Sequence, residues 1–201
     1  IEGSVITLNE KADPTEANQF WIDLSSGDVT STHRELWDLG FYSGDEFRVM
    51  LNSSLVMSVG KIENVTNIDA VNSQTVKNLK DLVQAANFTD NAQYVDNPNG
   101  DIVNQTTGIS PISSDDNLNN VYLLNMGHKV YEGSPSPGTI YNIGDLRGWK
   151  KIRILRYALG YKIQYADLDE TSHKEFIISK DTEYNYRFFS FTTGTYADIQ
   201  P

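Results

Sequence analysis

Apolar and polar residues alternate in short runs along most of this chain, and turn-forming residues separate the runs. Phe20-Trp21-Ile22-Asp23-Leu24 stops at Ser25-Ser26-Gly27-Asp28. There a glycine free to take a positive φ and an aspartate able to cap its own turn predict a reversal. In Leu36 to Phe41 the period of two places Trp37, Leu39 and Phe41 on one face and Asp38 and Gly40 on the other. After Ser43-Gly44-Asp45 the pattern resumes, with Phe47, Val49 and Leu51 alternating with Glu46, Arg48 and Met50. A further strand from Ser54 to Val59 carries Leu55, Met57 and Val59 on one face and is closed by Gly60 to Asn67, while Val5 to Leu8 reads as a short edge strand. Toward the C-terminus, Val121 to Met126 reads as a buried strand. Trp149 to Tyr157 sets Ile152 and Ile154 against Lys151 and Arg153, and Tyr161 to Tyr165, Phe176 to Ile178 and Tyr184 to Thr192 follow over short links. Short links predict that these last four pair as an antiparallel meander. With the N-terminal hairpins there are enough strands for two sheets face to face, so the expected fold is mainly β, an antiparallel β-sandwich with one or two short helices.

Two segments break the alternation. Val76, Leu79, Leu82 and Val83 recur at spacings of three and four, which predicts a helix from about Gln74 to Ala86 with Ser73 as N-cap, packed over one end of the sheet. From Asn87 to Asn120 the chain turns to Asn, Asp, Gly, Ser and Pro, the composition of a long loop that serves a function or moves. Its oxygen-rich Asp96-Asn97-Pro98-Asn99-Gly100-Asp101 raises calcium, but the glutamate that closes an EF-hand loop is missing. The sequons at Asn52, Asn64, Asn87 and Asn104 matter only in a eukaryotic secretory pathway.

A length of 201 residues suits one domain spanning 1–201 and is ample for a core without covalent staples, in keeping with the absence of cysteine. The net charge of −11 repels phosphate backbones and anionic lipid, which argues against nucleic acid. No apolar run approaches the roughly 18 residues of a membrane span. The chain begins at Ile1 without Met, which leaves room for a removed signal peptide and lipid-bearing Cys, the membrane being reached only through such an anchor. Enzyme chemistry is hard to find: the three histidines, at 33, 128 and 173, have no HExxH spacing, and GxSxG and Walker motifs are absent. His33 and His173 read as solvated turn residues.

One constellation remains. If the strand from Val121 continues through Gly127, Met126 and His128 project to the same face, and a thioether and an imidazole are both recognised axial ligands of haem iron. The plain alternative is a core methionine at a strand end and a loop histidine. Arg147, Lys150 and Lys151 are either charge-assisted partners for carboxylates such as haem propionates or a solvated face of the sheet.

The run "FWIDLSSG", then "LWDLGFYSGDEFRVMLNSS", and the closing "GWKKIRILRYALGYKIQYADLDETSHKEFIISK" resemble the HmuY family of bacterial haem-binding surface lipoproteins. The resemblance covers both ends of the chain and leaves about 68–120 unassigned. It implies a protein of the cell surface or outer membrane, or a secreted one, that binds haem and delivers it to an outer-membrane receptor. It also implies that haem is held between two axial residues on loops at one end of the sheet. One of those positions falls near Met126 and His128. The other falls near Asp101, where the chain has no His or Met and Tyr94 would substitute only through tyrosinate ligation, a different chemistry. The alternative is a surface β-sandwich that binds a protein partner or glycan through the Asn/Asp-rich loop and exposed aromatics.

Overall fold

The computed structural model describes residues 5, 17–85, 92–99, 107–134 and 143–199. The expected edge strand at Val5 to Leu8, the sequons at Asn87 and Asn104, and Asp101 lie wholly or mostly outside that set. The architecture is mainly antiparallel β, with one α-helix and several 3-10 turns among the described residues.

Strands β1 (Asn18–Ile22) and β2 (Val29–His33) form a hairpin with Ile22 opposite Val29. Its turn follows the sequence: Asp23 accepts hydrogen bonds from the Ser25 amide and hydroxyl, and Gly27 takes φ +80°. The next segment departs from the expectation. Arg34–Leu36 is a 3-10 turn capped by the His33 ring, and β3 is only Leu39–Tyr42. Leu39 and Phe41 enter the main core as expected, but Trp37 packs instead on Phe188 and Trp21, in a separate cluster with Ile199. Asp38, expected on a wet face, is 0 % exposed. The turn at 34–36 rotates the chain entering β3, so simple alternation does not extend back to Trp37.

The remaining strands are β4 (Val49–Leu51), β5 (Ser58–Lys61), β6 (Tyr122–Asn125), β7 (His128–Val130), β8 (Ile143–Leu146), β9 (Trp149–Tyr157), β10 (Gly160–Asp167), β11 (Lys174–Ser179), β12 (Tyr186–Ser190) and β13 (Thr195–Tyr196). One five-stranded sheet runs β11-β10-β9-β6-β5 and one four-stranded sheet runs β13-β12-β3-β4. They face each other across a core that joins Leu39, Phe41, Val49 and Phe189 to Val59, Leu124, Ile152, Ile154 and Tyr161. Only three of the four C-terminal strands form the expected meander. The fourth, β12, crosses to pair with β3. Phe188 and Phe189 are both buried, and consecutive strand residues need apolar cover on both faces. Beside β3, Phe189 meets the main core while Phe188 meets the two tryptophans. The Ser54 to Val59 strand is also revised: Ser53–Leu55 is a 3-10 turn, Val56 takes φ 60°, and the ladder starts at Ser58.

The helix is shorter than its apolar stripe. Helix α1 is Lys77–Leu82, and the turn before it is built by Asn72, whose side chain accepts from the Gln74 and Thr75 amides. Ser73 is not the N-cap; its amide donates to Asp169. Val76 and Val83 are buried in a second cluster with Val121 and Leu123, on the face of the five-stranded sheet away from the main core. The Val83 carbonyl accepts from Ser58 and Asn125, which ends the helix against β5 and β6.

The described parts of the Asn/Asp-rich segment are tied to the body. Ile109 and Ile112 lie in the main core, and the Ile112 amide donates to the Phe47 carbonyl. The Asp96 carboxylate accepts from the amides of Leu51 (2.7 Å) and Gly108 (2.8 Å), clamping the segment to β4. Desolvation raises its pKa above the usual carboxylate value, against the opposing pull of those two amides.

Candidate functional site

Strand β6 does not run on through Gly127. That residue takes φ +67°, its amide donates to the Asn125 side chain, and β7 departs to pair with β8 in a separate two-stranded ribbon. Met126 and His128 therefore part company. Met126 is 2 % exposed in the main core between the sheets. His128 is half-buried at the start of the ribbon, directly opposite Leu146, which is exposed. The His128 Nδ1 lies 3.0 Å from the Gly144 carbonyl oxygen. A carbonyl only accepts, so Nδ1 carries the proton, and the lone pair of the neutral ring sits on Nε2. This is the arrangement in which an imidazole serves as a metal ligand, its other nitrogen held by a backbone carbonyl.

The three cations read as propionate partners or a solvated face of the sheet are each committed to a partner. Arg147, just past β8, forms a buried ion pair with Asp38 at 2.6 Å and donates to the Met126 carbonyl. Asp38 also accepts from the Phe191 amide at 2.7 Å. Lys150 pairs with Asp167 at 2.5 Å at the rim. Lys151, on the opposite face of β9, is 0 % exposed and donates to the carbonyls of Val71 and Glu170, each at 2.6 Å. Neither the propionate reading nor the solvated-face reading describes Lys151, because its chain is enclosed under the second cluster's rim. Among the other candidates, Tyr94 packs on that second cluster, and Asp101 lies outside the described residues. His173 is more than a solvated turn residue: its Nδ1 meets Asp69 at 2.9 Å and its Nε2 lies 3.1 Å from Gln164. Among the described residues no group of three or more His, Cys, Asp or Glu is placed to hold a metal ion.

Burial of Lys151 lowers its pKa below the ordinary 10.5, with the nearby carboxylates of Asp69, Asp169 and Glu170 opposing. The sign follows from linkage. The unfolded chain keeps the proton to higher pH than the folded one, so rising pH favours the folded state between the lowered value and 10.5. The stability of the wild type measured against Lys151→Met should therefore climb as pH rises through that alkaline window. Urea unfolding at a series of pH values checks this, and a constant difference would contradict it.

The family model described as HmuY protein matches residues 15–200, nearly the whole length. The chain belongs to the HmuY family. That family is associated with haem binding and acquisition and with bacterial surface or secreted proteins. No curated protein and no solved structure matches the chain. No helix among the described residues is long and apolar enough to cross a membrane.

For this HmuY-family chain, sequence reasoning missed the residues that hold the ribbon in place. Glu35 accepts the Val130 amide at 2.6 Å, and Asn52, 0 % exposed, donates to the carbonyls of Arg34 and Trp37. The one signal available was the run His33-Arg34-Glu35-Leu36-Trp37-Asp38, too charged for a strand entering a core.

Proposed function

We infer that this protein binds haem as cargo for iron acquisition, at the cell surface or secreted, and passes it to an outer-membrane receptor. Family membership supplies the class. The observation that carries the reading to a site is His128, an imidazole at the surface with Nδ1 tied to a carbonyl and Nε2 left as the donor nitrogen. Leu146 opposite it and Ile143 at the far end of β8 are exposed apolar side chains suited to a porphyrin face. These residues fit haem iron on one side. Met126 fits as the second axial ligand only on leaving the core, and of Arg147, Lys150 and Lys151 it is Lys150 that keeps the most exposed side chain for a propionate, in exchange for Asp167.

Haem titration followed by absorbance tests this. The wild type should give a Soret band distinct from that of haem in buffer, and His128→Ala should weaken binding by at least about tenfold, the equivalent of 1.4 kcal/mol. Met126→Leu conserves volume and should cost less than about 1.5 kcal/mol of stability, so any spectral change in it reports on the sulfur. A wild-type spectrum equal to that of haem in buffer would end the haem reading; a full-strength band in His128→Ala would end its assignment to His128.

A further inference from the structure

Two of the attachments that join the ribbon carrying His128 to the sandwich come from one short stretch. Asp38 takes Arg147 at the ribbon's base, and Glu35, three residues earlier, takes the Val130 amide of β7. The Val130 amide takes an acceptor from Glu35, and the irregular register between His128 and Val130 marks the same place. The stretch providing both carboxylates is itself braced by hydrogen bonds. Asn52 staples Arg34 and Trp37 from the neighbouring 3-10 turn, and the Arg34 guanidinium donates to the Ser54 carbonyl at 2.9 Å. Val130 lies two residues beyond His128, about 7 Å along a strand.

We propose that Glu35 is a positioning residue for the haem site: its carboxylate fixes β7 on the sandwich and so sets where the His128 imidazole stands. This rests on the haem reading, but the clamp is a property of the haem-free protein. A carboxylate bonded to an amide is a charge-assisted contact, stronger than a neutral one. Glutamine at position 35 keeps an oxygen acceptor in the same place, whereas alanine removes it.

The experiment compares wild type, Glu35→Gln, Glu35→Ala and His128→Ala. In the haem-free proteins, amide hydrogen exchange at Val130 should speed up by about tenfold or more in Glu35→Ala and by much less in Glu35→Gln, which keeps a weaker, neutral acceptor. In haem titrations, Glu35→Ala should weaken binding by about tenfold with an altered Soret band, and Glu35→Gln should restore most of it. Unchanged Val130 exchange in Glu35→Ala would overturn the clamp. Wild-type haem affinity and spectrum in Glu35→Ala, alongside loss in His128→Ala, would overturn the positioning role while leaving the haem reading intact. A wild type that binds no haem would overturn the haem reading and the positioning role together, with the exchange result still deciding whether Glu35 holds β7.

Discussion

Asp38→Ala is expected to lower the unfolding free energy by about 3–5 kcal/mol, because it strands the Arg147 guanidinium in the interior. Both side chains of the pair are buried, at 7 % and 0 % exposure, so water cannot replace the lost carboxylate. The same change leaves the Phe191 amide without its 2.7 Å acceptor. Domains of this size have roughly 5–15 kcal/mol in all, so the loss should shift the thermal midpoint by roughly 10 °C. Removing both charges is different. Asp38→Leu with Arg147→Met replaces the pair by apolar volume, which is often close to neutral, so the double variant should recover much of the loss. Urea midpoints of the three proteins measure this, and a loss below about 1 kcal/mol in Asp38→Ala would mean the pair is solvated.

Gly127→Ala should be the next most damaging change. A left-handed backbone disfavours a Cβ by roughly 1–2 kcal/mol, and here the added carbon would also overlap the Leu55 carbonyl oxygen. A total above about 2 kcal/mol is expected. Gly148 provides the control: it takes φ +87° but an added Cβ would meet nothing within 4 Å, so Gly148→Ala should show the backbone term alone. Equal losses in the two variants would show that Leu55 yields freely. Because Gly127 is the joint where β6 gives way to β7, Gly127→Ala should also re-aim His128 and weaken haem binding beyond its effect on stability.

The strands were legible wherever a face met the core across several residues in a row. Trp149 to Tyr157 is such a run, and its bounds match β9. Periodicity says which residues share a face, but not what covers the other face. Asp38 and Lys151 fell on faces that alternation marks as wet, yet both are enclosed, because Arg147, 109 positions from Asp38, and the carbonyls of Val71 and Glu170 supply partners that only the tertiary fold brings near. The destination of β12 was hidden for the same reason. Short links favour neighbours in sequence, but two adjacent phenylalanines needed cover that lay at the other end of the chain. At the candidate site, His128 could be picked out as a chemical type, whereas its separation from Met126 turned on one backbone dihedral at Gly127 that composition does not encode.

The pairing of β3, ending at Tyr42, with β12, beginning at Tyr186, sets a condition on how the polypeptide can assemble. The four-stranded layer lacks its second strand until nearly all of the sequence is available, and β6 likewise waits for β9. Non-local closures of this kind place folding in the millisecond-to-second range and leave β3 and β4 with open edges in the meantime. A chain cut before Tyr186 should therefore aggregate during synthesis rather than accumulate as a smaller folded unit.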